Sequence, residues 1–289
     1  YKLPKIIKIN YKLFKDVDVI FTSLPNGESQ KIANKLLKKN IMIDLSADFR
    51  LKNPKIYNKY YGIKHKSLDN LKKSVYGLSE INKKNLSKAK IIACPGCYPT
   101  SILLPLFPLI KKNLIDFKNI IIDSKSGFSG AGRGVHKKFK NKNLYGSTSA
   151  YGIGSHRHNA EIQQELSYIK KSIEFTFTPH ILPMFRGILS TIYLNYKSKA
   201  NLNKIYNELR RFYMSHKFIK ILKNKALSTN DVINTNNCQI SVCKSKDKKK
   251  LIILSSIDNL IKGGAGQAVQ NLNLIFNFKL NEGLKWDIF

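Results

Sequence analysis

Long apolar runs are missing from this 289-residue chain. The most apolar stretch, 102–110, falls well short of the roughly 20 residues that span a bilayer and holds Pro105 and Pro108, so no membrane partner is expected. Cysteine is scarce as well. Cys94, Cys97, Cys238 and Cys243, with no charged and apolar leader behind Tyr1, read as reduced thiols of a cytoplasmic protein. With 9 prolines and 16 glycines against 43% hydrophobic residues, the composition excludes disordered and fibrous classes and supports a folded core. The length favours two domains. Acidic residues are the other shortage: 18 against 51 basic, a formal net charge of +33. A nucleic-acid binder would gather that charge on one element, whereas here basic pairs begin at Lys38, Lys72, Lys83, Lys111, Lys170 and Lys248 and are nearly all lysine. The charge reads as a compositional bias that attracts small anions. No nucleic-acid partner is expected, and a basic nucleic-acid-binding protein stands as the alternative class.

What is present is an alternation of elements. Residues 17–24 are rich in β-branched side chains and bounded by Pro25 and Gly27, a buried-strand pattern. Ile32, Ala33, Leu36 and Leu37 predict a helix over 28–39 with one buried stripe. Strands at 41–45, 74–78 and 90–93, with a helix at 80–89, continue the series and predict a parallel sheet covered by helices. Beyond residue 100 the rhythm changes. Strands are expected at 119–123, 175–182, 187–196, 219–222, 239–243 and 251–256, with helices at 160–168 and 202–216, the pattern of an α+β unit with a mixed or antiparallel sheet. A final helix, 267–277, is placed to return to the first unit.

Four segments could carry chemistry. Cys97 closes the run Cys94-Pro95-Gly96-Cys97 between a strand and a helix, where amides and the helix dipole lower a thiol pKa. It is a candidate nucleophile, with a buried apolar cysteine or a redox Cys-x-x-Cys as the competing readings. The segment 124–133 is rich in serine and glycine and ends in Arg133, which suits an anion or a plain surface turn. Its glycines at 127, 130, 132 and 134 miss the dinucleotide spacing. His156-Arg157-His158 precedes Asn159, read as a helix cap, and either histidine could exchange protons or simply be structural. Gly263, Gly264 and Gly266 form a turn before the last helix, either a hinge or a cofactor contact. No metal site is expected: the His-x-His pair lacks a third ligand, and Cys238 and Cys243, five apart on a strand, face opposite sides.

Taken together, Asp44-Leu-Ser-Ala-Asp-Phe-Arg50, Cys94-Pro-Gly-Cys-Tyr-Pro-Thr100, Ser126-Gly-Phe-Ser-Gly-Ala-Gly-Arg133, His156-Arg-His-Asn-Ala-Glu-Ile162, Pro183-Met-Phe-Arg-Gly-Ile-Leu189 and the stretch from Asp258 to Asn271 resemble the N-acetyl-gamma-glutamyl-phosphate reductase family, in that family's order. The resemblance implies an α/β fold in which a Rossmann-type parallel-sheet domain that binds NADP(H), residues 1–97 with 259–289, joins an α+β catalytic and dimerisation domain, 98–258. It implies Cys97 as nucleophile and His156 as acid/base. Ser126, Arg133, Arg157 and Arg186 become candidates for holding an acyl phosphate substrate, and Pro25, Ser46, Gly130, Asn259 and Gln267 for the cofactor. A homo-oligomer, a place in arginine biosynthesis and no metal are expected. Aspartate-semialdehyde dehydrogenase, which shares the cysteine and hydride logic, is the alternative enzyme. Two departures stand out: Ala160 where the family usually has Pro, and Cys94 where it usually has Asn. The family's glycine-rich loop is also expected to lie before the first residue, which would leave this chain binding NADPH poorly.

Overall fold

The structure, a computed structural model, describes residues 5–131, 145–197 and 200–284. The short β-branched runs of the first hundred residues pair side by side. Strands β1 (Val19–Thr22), β2 (Ile41–Asp44), β3 (Val75–Tyr76) and β4 (Ile91–Ala93) form a parallel sheet in the order β1-β2-β4-β3, with Ile43 opposite both Phe21 and Ile92. Helices α1 (Glu28–Ala33), α2 (Pro54–Tyr61), α3 (Leu68–Lys73) and α4 (Ser79–Leu86) connect them. Buried Met42, Ile91 and Ala93 pack with Ile32 and Ala33 of α1, while Ile43 and Ile92 pack with Leu86 of α4.

Helix α5 (Cys97–Lys111) leaves the end of β4 and is buried along most of its length. The second of its inner prolines is tolerated for an identifiable reason. Pro108 has no N–H to give to the Leu104 carbonyl, and the Tyr213 hydroxyl donates to that oxygen instead at 2.5 Å. One face of α5 covers the second sheet, whose strands β5 (Ile120–Gly127), β6 (Ser149–Ala150), β7 (Phe175–Leu182), β8 (Ile188–Asn195), β9 (Ile219–Lys223), β10 (Cys238–Lys244) and β11 (Lys250–Ile257) lie in the order β6-β7-β5-β8-β11-β10-β9. The sheet is mixed, as predicted: β5 runs parallel to β7 and β9 to β10, and the remaining pairs are antiparallel. Helix α6 (His158–Ser167) precedes β7, and α7 (Leu202–Tyr213) lays Ile205 and Leu209 on the same core. Helix α8 (Gly266–Ile275) does return to the first sheet, where Ala268 and Leu274 cover Ile43 and Ile92.

Several expected boundaries move. The helix predicted over 28–39 ends at Ala33, because the Asn40 amide donates to the Phe14 and Val17 carbonyls while its oxygen accepts the Leu37 N–H, turning the chain out of the helix. The strand predicted at 119–123 runs on to Gly127, so Ser124 and Ser126 are strand residues rather than loop. Ser124 is accommodated by a hydroxyl relay through Ser190 to Ser101 of α5, at 2.7 and 2.8 Å. Asn159 is not the cap of α6. The helix starts at His158, whose N–H donates to the His156 ring instead. The long amphipathic helix ends at Tyr213, short of His216.

Candidate active site

The C-terminal ends of β4 and β5 and the start of α6 meet around a cleft of about 420 Å³ walled by Cys97, Ser126, Gly130, Tyr151, His156 and His158, with Arg157 at its rim. An apolar groove of about 790 Å³ between α2 and α6 is larger, but it touches neither Cys97 nor either histidine.

Cys97 is the first residue of α5, after Gly96 in extended conformation. Two glycines make room for it. A methyl at Gly96 would stand 2.4 Å from His158 Nε2, and one at Gly263 would stand 2.7 Å from the Cys97 Cβ. Buried Glu161, one turn along α6, accepts the Gly96 N–H at 2.8 Å and the Tyr76 hydroxyl at 2.6 Å. Arg50, reaching over from the end of β2, donates to the Cys94 carbonyl at 2.8 Å and to Glu161 at 3.4 Å. Burial alone would depress the Arg50 guanidinium, but Glu161 beside it holds its pKa above the ordinary value.

The thiol itself corrects an expectation. Burial pushes Cys97 up from its ordinary value, and the Tyr98 N–H and the Arg50 charge recover only part of that rise. Loss of water at the cleft wall therefore outweighs the helix start. His158 is buried, and burial first, with the neighbouring His156 ring and the Arg50 and Arg157 charges, holds it well below its usual pKa, so it is neutral near pH 7. His156 is half-buried among Tyr98, Tyr151 and Phe177. Its Nδ1 accepts the His158 N–H at 3.1 Å, so the neutral ring carries its proton on Nε2.

The remaining predicted residues divide. Ser126 and Gly130 line the cleft, and the Asn259 amide comes close to Gly130 while bonded to the Gly187 N–H and the Ser129 hydroxyl. Arg157 is exposed, with its guanidinium 5.9 Å from the centre of the Tyr61 ring. Arg186 is not a wall of the cleft: it is committed to buried Asp258 at 2.9 Å and to Asn234 at 2.6 Å, and the pair shapes the turn that leads to Gly263. Arg133 lies outside the described residues. Pro25 and Ser46 follow β1 and β2 at the C-terminal edge of the parallel sheet, where α/β folds bind their ligands. Gln267 donates to Gly77 and Ser79, while its buried Oε1, like the Oδ1 of Asn271 one turn on, has no hydrogen-bond partner among the described residues. Among the described residues, no group of three or more His, Cys, Asp or Glu side chains is placed to hold a metal, and no helix is long and apolar enough to cross a membrane.

Residues 4–89 match the family described as semialdehyde dehydrogenase, NAD binding domain, and residues 97–259 match its dimerisation domain. An Arabidopsis thaliana protein named probable N-acetyl-gamma-glutamyl-phosphate reductase, chloroplastic, is 43% identical over 98% of this chain and 71% of its own length. A Clostridium botulinum (strain Eklund 17B / Type B) protein named N-acetyl-gamma-glutamyl-phosphate reductase is 47% identical over 92% of this chain and 78% of its own. The chain belongs to the N-acetyl-gamma-glutamyl-phosphate reductase family. A crystal structure of aspartate semialdehyde dehydrogenase II from Vibrio cholerae superimposes with a TM-score of 0.67, covering 91% of this chain and 81% of that one at 16% identity, which establishes a common fold. The reductase family thus shares its architecture with the semialdehyde dehydrogenases.

Sequence reasoning missed the residues that hold the site rather than line it. Arg50 and Glu161 sat inside quoted motifs without a role. In a chain this poor in acids, a glutamate between Ala160 and Ile162 on a helix with buried apolar residues was the available signal. Lys262, fully buried and bonded to Glu80 at 2.5 Å and Gln270 at 2.8 Å, fastens the turn that carries Gly263 to α4.

Proposed function

We propose that this protein reduces N-acetyl-glutamyl 5-phosphate to N-acetyl-glutamate 5-semialdehyde and phosphate with NADPH, in arginine biosynthesis. The observation that carries the reading is the cleft itself, a cysteine at a helix start facing two histidines, in a chain 43–47% identical to proteins bearing that enzyme's name. In this reading the Cys97 sulfur bonds to the acyl carbon and the carbon–oxygen bond to phosphate breaks, leaving a thioester. His156 enters through Nε2–H as a donor toward the carbonyl oxygen on which charge develops, and the thiol's proton leaves with the departing phosphate. Exposed Arg157 and the Ser126 hydroxyl are the candidates for the substrate's oxyanions. His158, neutral and packed on Gly96, shapes the turn.

The residues present suit a nicotinamide cofactor. Pro25 and Ser46 mark the strand ends of the parallel sheet, Gly130 and Asn259 border the cleft, and the unpartnered oxygens of Gln267 and Asn271 offer acceptors nearby in the fold. A nicotinamide bound there would supply hydride for reducing the thioester. The division into residues 1–97 with 259–289 and residues 98–258 follows the two sheets. A second copy of the chain fits the uncovered face of the mixed sheet, where Ile121 and Tyr193 are 49% and 40% exposed.

The test is phosphate-dependent reduction of NADP by N-acetylglutamate semialdehyde, compared with aspartate semialdehyde and with NAD. Turnover with the acetylated aldehyde and NADP is expected. Preference for aspartate semialdehyde would replace this substrate, and preference for NAD would replace this cofactor.

A further inference from the structure

We propose that the buried Arg50–Glu161 pair positions the nucleophilic turn, holding the peptide groups on either side of Pro95 and tying them to the helix that carries His158. The inference rests on the reading of Cys97 as nucleophile given above. Arg50 Nε donates to the Cys94 carbonyl and its Nη2 to the Leu45 carbonyl, both at 2.8 Å, and Nη1 reaches a Glu161 oxygen at 3.4 Å. The other Glu161 oxygen accepts the Gly96 N–H at 2.8 Å. The carbonyl before Pro95 and the amide after it are therefore each gripped by one member of a single ion pair. The Cys94 N–H goes to the Asp44 carbonyl and the Gly96 carbonyl takes the Thr100 N–H and hydroxyl, and since Pro95 has no N–H and Gly96 no side chain, the Cys94 carbonyl and the Gly96 N–H are the groups left to the ion pair.

Helix α6 closes the grip from its own side. His158 and Glu161 are three apart and face one way, so the His158 ring meets the Gly96 Cα while Glu161 takes its N–H. Removing one partner of so buried a pair leaves the other charge uncompensated and frees one flank of the turn.

The groups that face Cys97 are Arg50 from the end of β2, Glu161 and His158 from α6, His156 and Arg157 just before it, Tyr98 from α5 and Tyr151 after β6. Lys262 in the adjoining turn points away to Glu80. Arg50 favours the thiolate and Glu161 opposes it, so the two partners act on the thiol with opposite sign. A role confined to stability lacks that signature.

The experiment follows iodoacetamide alkylation of Cys97 against pH, located by mass spectrometry, in the full protein and in Arg50→Met, Glu161→Gln and the double variant, alongside kcat and KM. Glu161→Gln is expected to lower the alkylation midpoint by about one pH unit and Arg50→Met to raise it by a similar amount. Each should lose about tenfold in kcat with KM little changed. The double variant, with no charge left unpaired, should recover the midpoint but not kcat, since the Cys94 carbonyl stays unheld. Midpoints that stay put or move the same way overturn the proposal. If a single variant fails to fold, a folded double variant with wild-type kcat does so. Alkylation reads the thiol whatever the substrate, so an error in the substrate assignment would leave these profiles intact.

Discussion

The ring of His158 lies on the Cα of Gly96, so close that a methyl group there would stand 2.4 Å from Nε2. The neighbour is a packed ring on a buried helix, not the free end of a flexible chain, so it has little room to yield. Gly96→Ala is therefore expected to displace either the Cys97 turn or the start of α6 and to lower turnover at least 100-fold, as misplacement of about 1 Å does in such sites. Steady-state kinetics on protein whose circular dichroism is unchanged checks this, and near-normal activity would contradict the packing argument.

The two thiols of the Cys94–Cys97 turn should differ sharply. Cys94 is buried behind the turn against the Asn271 amide, and burial pushes its thiol up to about 12. Cys97→Ser is expected to abolish turnover, whereas Cys94→Ser should retain most of it. The reverse ranking would move the nucleophile.

Among the histidines, His156 should carry the proton and His158 the shape. His156→Asn is expected to slow the chemical step by roughly 100- to 10,000-fold with less effect on substrate affinity, and His158→Asn to be milder in rate but costlier in melting temperature. Pre-steady-state rates and thermal melts of both variants separate the roles. Equal rate losses at the two would sink the assignment.

A pH effect on stability should come from Glu165, whose carboxyl burial pushes up from 4.5 to about 7. Across that window the folded state keeps a proton that the unfolded chain has released. The group's contribution is therefore greatest below the window, declines as pH rises through it, and stays low above. Glu165→Gln removes the burden, so its advantage in thermal melts should be absent near pH 4.5 and reach on the order of 2 kcal/mol at pH 8. Parallel pH profiles for the two proteins would show that the carboxyl is solvated after all.

The sequence made the parallel sheet, the mixed sheet and the returning helix legible because each rests on apolar periodicity, and the strand at 175–182 matches to the residue. Periodicity could not reveal where side-chain amides and hydroxyls override propensity, as at Asn40 and in the Ser101–Ser190–Ser124 relay. The family resemblance put Cys97, His156 and Ser126 into one site, and they line one cleft. It could not show that the Arg186 guanidinium pairs with Asp258, since an ion pair 72 residues apart in sequence leaves no local trace.

The contacts between α8 and the first sheet set an order of events during synthesis. Gly77 is held by Asn271, 194 residues later, and Glu80 by Lys262, 182 residues later. On the ribosome, Ile43 and Ile92 have Leu86 of α4 beside them but lack the cover of Ala268 and Leu274 until the last helix emerges. Throughout the making of the mixed sheet, the nucleotide half exists as an unfinished layer with an apolar face open to chaperones.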